Sequence, residues 1–212
     1  MGIEDWDQPN WSFSDGNFEE KLILTQEQIT HNKMYKKICH YKYSRSRKIA
    51  NDIATVQQLL SELAPGEEMM LISNAFDSPA IISTLSEQIR ELYIATWAVT
   101  PAGISVVHDL PNIERCVIML DRTHSYKWIF SSGAYTYVQG KATFKFAINH
   151  SKMLAMRLSE GSRYTYLNVI GSMNLSNNPR YENMLITTHK EDYEFIHNFI
   201  DNCEGTVLDG KI

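Results

Sequence analysis

Short apolar segments alternate with helical segments along most of this chain, and this alternation constrains the fold more than any other feature of the sequence. The clearest strand candidate is RCVIMLD (115–121), an unbroken apolar run that ends on an acid. Further strand candidates are residues 69–73, 92–99, 142–148, 150–158, 164–170 and 183–188, and the helix candidates are 53–63, 78–92 and 190–203. The sequence therefore predicts a mixed α/β fold with a largely parallel sheet, flanked by helices on both faces.

Charge is distributed unevenly at the start of the chain. Residues 1–20 hold six acidic residues and no Lys or Arg, whereas residues 31–48 hold seven basic residues and no acid. A chain of 212 residues is long enough for one sizeable domain with an additional segment. We therefore expect an N-terminal extension over residues 1–50, acidic and then basic and aromatic, followed by a folded domain over residues 51–212.

The basic segment has the composition of a nucleic-acid contact. Basic side chains neutralise phosphates and tyrosine rings stack on bases. Tyrosines 35, 41 and 43 lie among the basic residues, of which Lys36, Lys37, Arg45 and Arg47 are the candidate substrate-binding residues. The alternative is a solvated basic face paired with the acidic N-terminus, since the whole chain carries a net charge of −5.

Several classes of protein are disfavoured by composition. No apolar run of about 18 residues is present, and the start of the chain lacks the basic and apolar regions of a secretory signal. The three cysteines are widely spaced and form no CxxC pair, so neither a zinc site nor a disulfide framework is indicated. The expected localisation is cytoplasmic, with no membrane association, and no metal or other cofactor is predicted.

The residues with the clearest chemical pattern are His150 and Lys152, followed by a polar group at the end of a later strand candidate. Residues i and i+2 of a strand point to the same face, so His150 and Lys152 are expected to project together. The later group contains Gly171, Ser172, Asn174 and Glu182. A glycine permits a tight bend there, and the serine and asparagine can converge on an anion.

Together these residues suit phosphoryl transfer without a metal. His150 would be the nucleophile, oriented by Glu182, while Lys152, Asn174 and Ser172 would bind phosphoryl oxygens. Each residue taken alone is more often structural, because a single His or Lys on a strand and a Gly-Ser turn are common. The joint pattern is what favours a phosphodiesterase that works through a phosphohistidine.

The arrangement HSK (150–152) followed by GSMNLSNNPRYE (171–182) resembles the signature of the phospholipase D superfamily. The resemblance covers about residues 69–203 and implies one phospholipase D-like unit with the site residues named above. One position departs from the signature: the family's Asp, five residues after Lys152, is Arg157 here. That Asp is generally structural in the family, so Arg157 either supports the fold or contacts the substrate.

The resemblance also implies a second copy of the chain. Catalysis in the family needs two such motifs, one His attacking phosphorus and the other protonating the leaving group. This chain supplies one motif, which implies a symmetric homodimer in which His150 of each chain shares one pocket. The resemblance to small bacterial nucleases and the basic segment favour a nucleic-acid substrate, DNA or RNA, of either strandedness.

The sequence leaves two alternative functions open. One is a catalytically weak or inactive phospholipase D-like module that binds nucleic acid or assembles within a defence or mobile-element system. The other is a lipid phosphodiesterase.

Overall fold

The structure, a computed structural model, describes residues 45–49, 56–73, 77–138, 140–176 and 181–208. Within these residues, nine strands form one sheet in the order β1-β2-β8-β7-β6-β3-β4-β5-β9. The strands are β1 (Arg45–Ile49), β2 (Glu68–Ser73), β3 (Ile89–Thr96), β4 (Arg115–Asp121), β5 (Thr143–Ala147), β6 (Met153–Leu158), β7 (Tyr166–Gly171), β8 (Glu182–Thr187) and β9 (Thr206–Leu208). The helices are α1 (Val56–Glu62), α2 (Ser78–Thr84), α3 (Pro101–His108), α4 (Tyr126–Ser131), α5 (Ala134–Tyr137) and α6 (Lys190–Asn202).

The mixed α/β fold predicted from the sequence is confirmed, but the strand directions need a correction. Three pairings are parallel (β1 with β2, β3 with β4, β4 with β5), and the other five between described strands are antiparallel. The expectation of parallel pairing therefore holds for β3, β4 and β5 and for the β1–β2 pair, and not for the rest of the described sheet. After β5 the connections to β6, β7 and β8 are too short for crossover helices, so these strands pair antiparallel.

Helices cover both faces of the sheet, as the sequence predicts. Strand β4 shows why, because Ile118 and Leu120 enter a large core shared with α1 to α5, while Val117 and Met119 enter a smaller core. The smaller core is completed by α6, which buries Tyr193, Ile196 and Ile200 against the opposite face. Because both faces of β4 are buried, apolar side chains occupy consecutive positions along it, which explains the unbroken apolar run in the sequence.

Two helices begin at short polar caps just after the strands that precede them. The Asp77 side chain accepts a hydrogen bond from the Ala80 amide, so Asp77 is the N-cap of α2. Helix α2 also ends at Thr84, well before the predicted end near residue 92, because β3 already begins at Ile89. Thr100 caps α3. It lies shortly after Trp97, the residue that follows the last residue of β3.

Residues 45–49 belong to the sheet. Strand β1 pairs in parallel with β2, in the register Arg45 with Glu68 and Ile49 with Ile72. These residues lie within the predicted extension over 1–50, whose boundary with the domain over 51–212 remains a prediction. The remainder of that extension lies outside the described residues.

Candidate functional site

One edge of the sheet collects the residues that the sequence singles out. Strands β3, β4, β5 and β7 end at this edge, and β6 and β8 begin there, since Ala95 pairs with Met153, Met153 with Ile170, and Gly171 with Met184. His150 and Lys152 immediately precede β6, Ser172 and Asn174 follow β7, and Glu182 opens β8. The topology therefore places all five predicted polar residues at the same sheet edge.

His150 and Lys152 lie in the turn before β6 and not within the strand, which corrects the expected strand geometry. The two side chains nevertheless meet, with Lys152 Nζ 3.4 Å from His150 Nδ1 and 2.8 Å from the His150 carbonyl oxygen. His150 is exposed and Lys152 is half-buried. Burial lowers the pKa of Lys152, and the nearby Glu182 carboxylate acts in the opposite direction.

The turn that carries His150 is anchored by Asn149. Its Nδ2 donates to the Thr96 carbonyl at 3.1 Å, its Oδ1 accepts from the Ser151 amide at 2.9 Å, and its own amide donates to Asp121 at 3.2 Å. Asn149 is only 5% exposed. These bonds link the ends of β3 and β4 to the start of β6, so they fix the backbone on both sides of His150.

Asp121, the last residue of β4, holds a second loop with its other oxygen. Its Oδ1 accepts from the amides of Thr123 and His124 at 2.9 and 2.8 Å, and from the Thr123 hydroxyl at 2.5 Å. Burial acts to raise the pKa of Asp121, but these bonds and the one from Asn149 outweigh it and lower the pKa. An acid at the end of a buried strand was visible in the sequence, whereas its link to Asn149 was not.

The ring of His150 is part of a cluster of three aromatic rings with Trp97 and His124. His124 stacks on Trp97 with ring centres 4.3 Å apart and an interplanar angle of 13°. His150 also contacts the Trp97 indole, at 5.5 Å and 51°. The Ser125 hydroxyl donates to the Trp97 carbonyl at 3.0 Å, which ties the His124 loop to the end of β3. No sequence pattern indicated this cluster.

The Gly-Ser turn brings Ser172 and Glu182 together. The Ser172 hydroxyl donates to Glu182 Oε2 and accepts from the Asn183 amide at 3.0 Å. A Cβ at Gly171 would lie 2.1 Å from the Asn183 carbonyl oxygen, so only glycine allows β7 and β8 to approach this closely. Gly171 therefore shapes the site through its backbone.

Asn174 is held at the end of β3. Its Oδ1 accepts from the Ala98 amide at 3.2 Å, and the neighbouring Leu175 amide donates to the Thr96 hydroxyl at 3.0 Å. Because Oδ1 is occupied, Nδ2 is the end of the carboxamide that remains to donate to a ligand.

Arg157 lies far from this edge. It is five residues along β6 from Lys152, about 16 Å for an extended strand. Its guanidinium pairs with Glu91 at 2.8 Å and Glu114 at 2.6 Å, and the hydrogen bond to Glu91 raises the pKa of Arg157. Of the two roles left open by the sequence, the structure assigns Arg157 to support of the fold.

Only two of the four predicted basic substrate contacts, Arg45 and Arg47, lie in the described residues. Lys36 and Lys37 lie outside the described residues. Arg45 and Arg47 lie on β1, where Arg47 is in register with Met70, and β1 is separated from β8 by β2. Their proposed contact with substrate remains a prediction.

A cavity of about 440 Å³ lies at the opposite edge, where β4 and β5 begin. Its lysines are already engaged: Lys145 donates to the carbonyls of Ile200 and Asp201 at 2.8 and 3.0 Å, and Lys141 donates to that of Leu110 at 3.2 Å. Arg115 pairs with Asp201 at 2.9 Å. The contacts of Lys145 and Arg115 attach α6 to the sheet, which is a structural role. In the described part of the chain, no three His, Cys, Asp or Glu side chains are grouped as a metal site would require.

Comparison with known proteins yields similarity in structure alone. No family model matches the chain, and no curated protein does. Among solved structures, NucT from Helicobacter pylori is 17% identical, with a TM-score of 0.48, over 66% of this chain and 100% of that one. Polyphosphate kinase from Porphyromonas gingivalis is 7% identical, with a TM-score of 0.48, over 65% of this chain and 26% of that one. TrmBL2, an archaeal chromatin protein with a novel mode of DNA binding, is 12% identical, with a TM-score of 0.46, over 85% of this chain and 66% of that one.

No helix in the described ranges has the length and apolarity needed to cross a bilayer.

Proposed function

We propose that this protein is a metal-independent phosphodiesterase, a nuclease of the phospholipase D type, that acts through a phosphohistidine. The observation that carries the proposal is the convergence of His150, Lys152, Asn174 and the Ser172–Glu182 pair at one sheet edge, although they come from three separate segments. An exposed imidazole beside an ammonium and amide donors is the set that attack on a phosphodiester requires.

In the proposed reaction, His150 Nε2 attacks phosphorus and the bond to the leaving oxygen breaks. The Lys152 ammonium moves from His150 onto a phosphoryl oxygen, and Asn174 Nδ2 donates to another. Glu182 fixes Ser172 and favours the charged form of Lys152, while its orientation of His150 remains a prediction. Water then attacks the phosphohistidine and gives its proton to the group that protonated the leaving oxygen, and the bond between phosphorus and Nε2 breaks, which releases the phosphate monoester and restores the imidazole.

The leaving oxygen needs a proton, and we assign its donor to His150 of a second copy in a symmetric homodimer. Two large side chains beside the site support this arrangement. Ile148 is 82% exposed and Tyr181 is 62% exposed, and they precede Asn149 and Glu182 directly. Apolar side chains exposed next to an incomplete site are suited to burial against a second copy.

Nucleic acid is the proposed substrate class, with the basic residues Lys36, Lys37, Arg45 and Arg47 as its additional contacts. The departure from the phospholipase D signature at Arg157 is a feature that would favour the alternative of a catalytically weak or inactive binding module. Because Arg157 pairs with Glu91 and Glu114 away from the site edge, its presence does not argue against activity.

A nuclease assay in EDTA tests the proposal. Labelled single- and double-stranded DNA and RNA are incubated with the wild-type protein, with His150→Ala and with His108→Ala, which replaces a half-buried histidine at the end of α3. We expect cleavage by the wild type and by His108→Ala, and its loss in His150→Ala. Cleavage that survives in His150→Ala, or that EDTA abolishes, would exclude the phosphohistidine mechanism. Salt-sensitive binding without any cleavage would favour the binding module.

A further inference from the structure

The stacked pair of Trp97 and His124 extends the candidate site beyond the phosphate-binding residues. His124 is exposed and covers part of the half-buried indole, so the stack is open to solvent on the histidine side. The same indole contacts His150. The stacked rings of Trp97 and His124 thus form a flat aromatic surface that is in contact with His150, the proposed nucleophile.

Both members of the pair are held by their backbones. The His124 amide donates to buried Asp121 at 2.8 Å, and the Trp97 carbonyl accepts from Ser125, whose side chain is buried. A ring that is already fixed loses little conformational entropy when a ligand stacks on it.

We propose that Trp97 and His124 form a stacking subsite for one unpaired nucleobase, so that the protein selects single-stranded over double-stranded nucleic acid. The proposal rests on the proposed function, because His150 marks the position of the reacting phosphate. One sugar joins a phosphate to its base, so a base on the stack leaves a phosphate within reach of His150. In a duplex both faces of an internal base are covered by its neighbours, which excludes it from the subsite.

Stacking of this kind does not depend on base identity, because every base has an aromatic face. The subsite therefore predicts a preference for unpaired strands with little sequence selectivity. Substitution by phenylalanine distinguishes a stacking role of His124 from a role in proton transfer. Another aromatic ring can replace a stacking ring, but it cannot replace a proton donor.

Binding in a turnover-free background tests the subsite. Fluorescence anisotropy measures the Kd of the full chain carrying His150→Asn for a labelled single strand, for the blunt duplex, and for single strands with one abasic position moved stepwise along them. The same measurements are made after adding His124→Leu or His124→Phe. We expect His124→Leu to weaken single-strand binding about tenfold, with duplex binding unchanged, and His124→Phe to retain it. One abasic position should cost about tenfold with His124 present and nothing with His124→Leu.

Other outcomes overturn the subsite. Equal losses for single strand and duplex, no loss with His124→Leu, or an equal loss with His124→Phe would each exclude base stacking, as would the absence of single-strand binding. If single-strand selectivity depends on the ring but the wild type shows no cleavage, the subsite stands and the nuclease proposal fails. If the wild type cleaves but His124→Leu leaves selectivity unchanged, the reverse holds.

Discussion

The Asp121 carboxylate accepts a hydrogen bond from the Asn149 amide at 3.2 Å, which joins the end of β4 to the turn that carries His150. Its other oxygen accepts from the His124 amide at 2.8 Å. A single buried acid therefore sets the backbone position of both histidines that contact Trp97.

Asp121→Asn is expected to lower both stability and turnover. The variant places an NH₂ group against backbone donors, which costs about 1–3 kcal/mol in the free energy of unfolding, and it displaces the His150 turn. Urea unfolding and the EDTA nuclease assay measure the two effects. Asp109→Asn, a substitution of an acid whose side chain is 69% exposed, is the control and should change neither.

The effect of Asp121 on stability should depend on pH. The pKa of Asp121 is lower in the folded state, so its contribution is present above the unfolded value near 4 and is lost as the pH falls through the folded pKa. The difference between the wild type and Asp121→Asn should thus be largest at neutral pH and narrow in acid. A difference that stays constant from pH 7 to pH 2 would contradict this assignment.

Arg157→Asp introduces the residue that the phospholipase D signature has at this position, yet we expect it to destabilise this chain. The change breaks two ion pairs and places a third carboxylate beside Glu91 and Glu114, which costs about 2 kcal/mol or more. Turnover per folded molecule should be unchanged, because Arg157 lies far from the site edge. Lys190→Asp, which breaks the exposed pair with Glu194, is the control and should leave the urea midpoint nearly unchanged. A gain in turnover with Arg157→Asp would contradict the structural role.

Sequence patterns predicted the elements well where burial decides them. Strand β4 spans the predicted residues 115–121 because both of its faces are buried. The prediction of a strand that begins at His150 was wrong, because Asn149 hydrogen-bonds to Thr96 and Asp121 and so holds the chain in a turn before β6 begins. The directions of the strands near the site could not be predicted from the sequence either, because they depend on the connections between strands and on which strands become neighbours in the sheet.

The site itself was predicted in part. The spacing of His150, Lys152 and the Gly171–Glu182 segment indicated which residues would be grouped, and the topology places them at one edge. The contact between Trp97 and His124 could not be predicted, because the two residues lie in different loops that meet only when β3 and β4 pair. Hydrogen bonds such as that from Ser125 to Trp97 fix this approach and leave no periodic signal in the sequence.

Gly171→Ala should damage the site and the sheet together. The added Cβ would meet the Asn183 carbonyl oxygen at 2.1 Å, so β8 must shift, at a cost of about 1–3 kcal/mol, and Glu182 shifts with it. Gly66→Ala is the control, since nothing lies within 4 Å of the added Cβ and only the cost of its positive φ of 82° applies. Both variants should unfold at lower urea concentration, but only Gly171→Ala should lose turnover per folded molecule.

Glu182→Gln should shift the alkaline limb of the pH–activity profile to lower pH. Burial lowers the pKa of Lys152 and the Glu182 charge opposes that effect, so removing the charge lowers the pKa further. Lys152 then loses its proton, and its hold on the phosphoryl oxygen, at a lower pH. Glu160→Gln, an exposed change in the turn after β6, is the control. An alkaline limb that does not move would show that Lys152 does not depend on Glu182.

Mixing subunits distinguishes a shared site from a complete site in each chain. If His150 of both copies serves one reaction, each mixed dimer of wild type and His150→Ala is inactive. Activity then falls with the square of the wild-type fraction after subunit exchange, whereas independent chains give a linear fall. Ile148→Asp places a charge at a side chain that is 82% exposed beside the site, so it should dissociate the proposed dimer and lower activity at low protein concentration. Asp109→Asn is the control and should change neither the molecular mass, measured by light scattering, nor the activity, measured by the nuclease assay in EDTA. A monomer that retains full turnover would exclude the shared site, because one chain would then supply both the nucleophile and the proton donor.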